Sequence, residues 1–203
     1  MSQEHNSVYD EKYLYAIIRK PQEGKTFICI KDIQQNLNHL HIIMTMNTIK
    51  SNKQFLGRVL DKKLNICILN SENNNEEYHF NDVIKLWNYV KTHNIHVVIM
   101  CAHTKRFKES LIEFLCLIDD SKSYNKNTIL HIDEAHEYIP KYRDEVARVN
   151  TFESVSQIIG YSATPFKMWD NKKHPIYKNI FVVDIEEQYN IAKSDKYYGV
   201  KNS

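Results

Sequence analysis

The amino-acid sequence predicts an α/β fold, a parallel sheet with helices on both faces. Two observations predict it. Short apolar, β-branched runs alternate with segments whose apolar residues fall at helical spacing along most of the 203 residues. The residues with chemical potential each follow directly on the end of such a run, where parallel sheets place their ligand sites. Strands joined through helices run parallel, because each crossover returns the chain to the same end of the sheet.

Composition narrows the class. The chain is 42% hydrophobic and 26% charged, as in an ordinary globular domain, and its length suits one domain with a sizeable core. A net charge of +2 neither demands nor excludes nucleic acid, so any basic surface must be local. No apolar run approaches the roughly 18 residues that span a bilayer, which predicts no membrane partner. The polar start, MSQEHNSVYDEK, is no signal peptide. The 4 cysteines, Cys29, Cys67, Cys101 and Cys116, sit in separate apolar segments. That reads as reduced core thiols in a cytoplasmic, or otherwise intracellular, protein.

Taken in order, residues 1–12 read as a flexible leader and 13–185 as the domain. Tyr13–Ile18 reads as a strand. After it, Arg19-Lys20-Pro21-Gln22-Glu23-Gly24-Lys25-Thr26 leads into a helical pattern from Phe27 to Ile33. Strand, loop ending in Gly-Lys-Thr, then helix is the context of a phosphate-binding loop. Successive backbone N–H groups and a helix N-terminus make a concave anion site. Gly24 lets the backbone approach phosphates. Lys25 can reach the β- and γ-phosphates, and the Thr26 hydroxyl can ligate Mg²⁺. The usual pattern opens with Gly or Ala where Arg19 stands. Arg19 either contacts the nucleotide or reshapes the loop, and the sequence leaves both open.

His41–Thr45 is the next strand, followed by Met46–Lys50 and a polar helix through Gln54 and Leu60. Leu64–Leu69 is a third strand. Asn70–Glu77 reads as a solvated loop. Phe80, Val83, Ile84, Trp87 and Val90 mark the core face of a helix. His96–Cys101 is a strand ending at Ala102-His103-Thr104-Lys105-Arg106, and Leu111–Ile118 reads as a helix. Hydroxyls with Lys105 and Arg106 at a strand end suit phosphate oxygens. A solvated helix start is the plainer alternative. The apolar run Ile129–Ile132 ends in Asp133-Glu134-Ala135-His136. There one carboxylate can hold a divalent cation while the other takes a proton from water. Arg143–Asn150 suits a short helix. Gln157–Tyr161 is a strand ending in Ser162-Ala163-Thr164-Pro165, and Ile180–Ile185 is a further strand. His39 and His41 have no set of metal-ligating neighbours in the sequence and read as solvated or core residues.

In this order and on these elements, Gly24-Lys25-Thr26, Asp133-Glu134-Ala135-His136 and Ser162-Ala163-Thr164-Pro165 resemble the first RecA-like domain of superfamily 2 helicases of the DEAH-box type. The resemblance runs from about Tyr13 to the last strand. Thr45-Met46-Asn47-Thr48 also looks like helicases of giant DNA viruses. The resemblance implies a P-loop NTPase domain binding ATP and Mg²⁺ through Gln22, Glu23, Gly24, Lys25, Thr26, Phe27 and His136. Thr26 and Asp133 would hold the Mg²⁺, and Lys25, Asp133 and Glu134 would be catalytic, with Glu134 activating the attacking water. Ser162, Ala163 and Thr164 would couple hydrolysis to domain movement. Thr45, Asn47, Thr48, Thr104, Lys105 and Arg106 would grip one strand of DNA or RNA. Such motors close a second RecA-like domain over the nucleotide, so 186–203 is expected to be a polar tail or a linker to that domain. The alternative is a non-hydrolysing binding module on the same fold.

Overall fold

The computed structural model describes residues 14–18, 24–46, 55–59, 64–71, 78–164, 180–183 and 199–200, the last two segments for their backbone alone. Tyr13, Arg19, Gln22, Glu23, Asn47, Thr48, most of the Asn-rich loop and all of the tail but Gly199–Val200 lie outside these residues.

The chain begins with β1 (Leu14–Ile18), α1 (Lys25–Gln35) and β2 (Leu40–Thr45). A helical stretch at 55–59 (α2) leads to β3 (Ile66–Leu69) and β4 (His79–Phe80). Then come α3 (Val83–Thr92), β5 (Val97–Cys101), a π-helical turn at Arg106–Ser110 and α4 (Leu111–Asp119). β6 (Thr128–Ile132), α5 (Ala135–Lys141), α6 (Arg143–Val149) and β7 (Val155–Ser162) follow. β8 (Ile180–Val183) and β9 (Gly199–Val200) complete the sheet.

The strand order is β4-β3-β5-β2-β6-β7-β1-β8-β9. Every neighbouring pair is parallel except β8 with β9. This is the parallel α/β architecture that the alternating pattern predicts. β2, β3 and β6 are buried at every position, so their apolar runs are continuous rather than alternating. The pleat still sorts their side chains between the faces. Ile43 and Ile129 pack beneath α1 and α2, with Ile33 and Val59. Ile42, Met44, Leu130 and Ile132 pack against α3, α4, α5 and α6, with Trp87, Phe107, Phe114 and Tyr142.

Two expectations change. Phe80 is not part of the helix; it lies in β4, paired with β3 at Leu69. α3 begins at Val83 because the Asp82 side chain accepts from Lys85 N–H at 2.8 Å and so caps the helix. Its core stripe is Val83, Leu86, Trp87 and Val90, while Ile84 is 46% exposed. One residue is about 100° of helical rotation, which carries Ile84 off the buried face. The short helix α5 was not foreseen, since Pro140 sits inside it.

No helix among the described residues is long and apolar enough to cross a membrane. Burial pushes the Cys67 thiol up to about 12 and holds the Cys29 thiol well above its ordinary value. Cys101 and Cys116 are only half-buried. Alkylation of the native protein at pH 8, followed by peptide mass spectrometry, should therefore label Cys101 and Cys116 well before Cys29 and Cys67. Equal labelling of all four without denaturant would contradict this burial pattern.

Candidate functional site: one rim of the sheet

The chemistry-bearing residues gather where β1, β2, β5, β6 and β7 end. β7 lies between β1 and β6, with Ile18 opposite Ser162 and Ile132 opposite Gly160. The ladder continues past the strands: Asp133 N–H donates to the Met44 carbonyl at 2.9 Å and Ala102 N–H to Thr45 at 2.7 Å. The loops leaving these strands are thereby tied together at their roots.

α1 starts at Gly24, whose φ of 86° and ψ of 22° place it in the left-handed region that glycine enters without strain. No side chain caps this end of the helix, and no acidic residue lies in its first turn. The first amides and the positive end of the helix dipole are left to an anion.

The carboxylates face that end. Lys25 Nζ donates to Glu134 Oε1 at 2.7 Å across 109 positions of sequence, with side chains 11% and 23% exposed. Asp133 Oδ1 accepts from Glu134 N–H at 3.0 Å. Burial, and then the neighbouring Glu134 charge, push the Asp133 carboxyl above its ordinary value; Lys25 partly opposes them. An acid in this state gains most from a cation placed beside it. Thr26, on the first turn of α1, has the oxygen chemistry that Mg²⁺ prefers. Asp133 and Thr26 therefore fit as Mg²⁺ ligands by chemistry.

Glu134 is the only non-glycine with positive φ among the described residues, at φ 47°. Such backbone costs about 1–3 kcal/mol and is found where a function requires it. It turns the chain sharply from β6 into α5 and sends the carboxylate back toward Lys25.

His136, on the first turn of α5, reaches the end of β7. Its Nδ1 is 3.0 Å from Ser162 Oγ and 3.4 Å from Glu134 Oε2. Thr164 N–H donates to the same Ser162 oxygen at 3.1 Å, and Ala163 bridges the two. The Ser162 hydroxyl both donates and accepts, so it can pair with the His136 ring while it accepts from Thr164. Phe27 is exposed on α1, with Lys31 Nζ 5.0 Å from its ring centroid.

The strand-end residues expected to grip nucleic acid divide. Thr104 and Lys105 are exposed, and Thr104 Oγ1 lies 3.0 Å from the Tyr142 hydroxyl. Tyr142 stacks on Phe107 with centroids 4.5 Å apart. Thr45 is buried, its hydroxyl 3.4 Å from the Met100 carbonyl. Arg106 is also buried, unlike the solvent-facing cation expected; its Nη1 donates to Ser110 Oγ at 3.0 Å. The π-helical turn that carries Arg106 rotates it inward, and a sequence period of 3.6 does not reveal such a turn.

Sequence reading missed a polar group beneath α1. His41 is not isolated: its ring meets His131 from β6, with Asp32 from α1 beside them. The available signal was a histidine inside an apolar run, since a buried imidazole needs partners.

No family model and no curated protein matches the chain. Among solved structures, it is similar to the genome packaging NTPase B204 from Sulfolobus turreted icosahedral virus 2, in complex with AMPPCP. The identity is 15%, the TM-score 0.47, and 91% of this chain and 82% of that one are covered. It is also similar to Arterivirus nonstructural protein 10, a helicase in complex with DNA, at 13% identity and TM-score 0.40. That match covers 74% of this chain but only 28% of the arterivirus protein.

A double-mutant cycle on Lys25→Met and Glu134→Gln, read by urea unfolding, should give a coupling of about 1–2 kcal/mol. A coupling of zero would mean the pair does not persist in solution. Among variants lacking the carboxylate, Glu134→Asn should be more stable than Glu134→Val by about 1 kcal/mol, because asparagine tolerates the left-handed backbone and valine does not. The same unfolding curves measure it.

Proposed function

We propose that this chain is the ATP-binding, Mg²⁺-dependent motor domain of a superfamily 2 type helicase or translocase. The observation that carries the reading is the meeting of Lys25 with Asp133-Glu134 on one rim, at the uncapped end of α1. Lys25 and the first amides of α1 bind the β- and γ-phosphates, with Phe27 on the same turn; Gln22 and Glu23 are assigned to this site from the sequence alone. Asp133 and Thr26 hold Mg²⁺, which when bound neutralises charge on the transferring phosphoryl group. In this reading Glu134, released from Lys25 as phosphate takes the ammonium, orients water and accepts its proton. His136 then couples the state of Glu134 to Ser162, Ala163 and Thr164 at the end of β7.

Nucleic acid, DNA or RNA, lies along the ends of β2 and β5. Thr104 and Lys105 meet phosphates there; Asn47 and Thr48 are assigned to the same role from the sequence alone. Buried Thr45 and Arg106 position these loops rather than present charge. A second RecA-like domain, in a longer chain or a partner, completes the nucleotide pocket.

Millimolar ATP with Mg²⁺ should raise the thermal midpoint; at ten times Kd the stabilisation is about 1.4 kcal/mol. Lys25→Met should abolish the shift. Glu134→Gln should keep it while cutting hydrolysis roughly 10²–10⁴-fold. The absence of any shift in the unmodified chain would favour the non-hydrolysing binding module instead.

A further inference from the structure

Between α1 and the sheet, Asp32, His41 and His131 each offer one donor atom, all within 4.8 Å of one another. Both histidines are fully buried. His41 Nδ1 lies 2.9 Å from His131 Nε2, and Asp32 Oδ2 lies 3.8 Å from that same nitrogen. Asp32 Oδ1 is held by the Asn36 side chain at 3.1 Å, but Oδ2 is buried with no hydrogen-bond partner. A buried carboxylate oxygen in this position calls for a cation or a donor.

The outer nitrogens of the rings are anchored. His41 Nε2 is 3.0 Å from the Asn36 carbonyl, and His131 Nδ1 is 3.0 Å from the Tyr161 hydroxyl. A carbonyl only accepts, so His41 Nε2 carries the proton and Nδ1 presents a lone pair inward. Metals take the neutral form of the imidazole ring. One nitrogen turned to the metal and the other fixed by a carbonyl or hydroxyl is how metal-binding histidines are held.

We propose that Asp32, His41 and His131 form a binding site for a divalent late first-row transition metal of the zinc type, clamping α1 to β2 and β6. Two imidazoles and a carboxylate suit such an ion, and a tetrahedral centre keeps a fourth position for solvent. The two inward nitrogens must part slightly, to the ~3.3 Å separation that tetrahedral bonds of about 2.0–2.1 Å impose. The proton on His131 Nε2 moves to Nδ1, where the Tyr161 oxygen turns from donor to acceptor. Asp32 binds as the carboxylate. Along α1, Asp32 lies about 10 Å from Lys25, so this ion is separate from the Mg²⁺ at the rim.

The test uses the full chain stripped with a chelator and titrated with Co²⁺, a spectroscopic stand-in for zinc. One equivalent should bind, with visible d–d absorption and a raised thermal midpoint. Asp133→Asn should keep the spectrum, which separates this site from the rim. Asp32→Asn and His41→Gln should weaken binding roughly tenfold or more. Circular dichroism checks their folding; if His41→Gln fails to fold, the part-exposed Asp32 variant decides. Failure of the unmodified chain to bind Co²⁺ stoichiometrically would overturn the site. So would a spectrum and affinity untouched by Asp32→Asn, and the histidines would then be a self-satisfied core pair.

Discussion

Two neighbouring carboxylates at the end of a buried strand are the constraint on which this rim depends. Burial and the neighbouring Glu134 charge push the Asp133 carboxyl above its ordinary value, so the pair gains from a cation. The compensation comes from Lys25, on the first turn of a helix that starts more than a hundred residues earlier in the chain. To bring it within 2.7 Å of Glu134, β1 and β6 must be nearly adjacent and must end at the same level. One strand, β7, separates them, and its register with both is fixed. The ion pair is therefore a product of the whole sheet order.

The insertion of β7 sets which residues meet at this rim. Its last residue, Ser162, lies at the ends of β1 and β6, hydrogen-bonded to His136 and Thr164. Glu134, His136 and Ser162 thus form one run of contacts from the Lys25 pair to the end of β7. The left-handed backbone of Glu134 lies within this run of contacts. It aims the carboxylate inward and turns the chain into α5, whose Tyr138 and Tyr142 pack with Phe107 beside the end of β5.

The two faces of the sheet are built differently. The face beneath α3 to α6 is an apolar core with aromatic contacts such as Trp87 on Phe114. The face beneath α1 carries a polar cluster within its apolar surroundings, linking α1, β2, β6 and β7 through Asp32, His41, His131 and Tyr161. Hydrogen bonds are directional, so this cluster fixes how α1 sits on the strands more narrowly than apolar packing alone does. It lies directly behind the strand that ends in Asp133.

The sequence by itself determined the alternation of strands and helices, and with it a parallel sheet. Continuous apolar runs bounded by turn residues are local signals, and so is the Gly24-Lys25-Thr26 start of α1. Gathering of the motifs at one rim also followed from the alternation, because parallel strands end on the same side. Contacts between distant residues were decided only by the tertiary structure. Nothing near Lys25 in the chain names Glu134 as its partner, and nothing near His41 names His131. The burial of Arg106 depended on a π-helical turn, and the exposure of Ile84 on the Asp82 cap that sets the helix start. Periodicity records which residues are apolar. Which polar atoms meet across the sheet depends on strand order and register, set by packing over the whole domain.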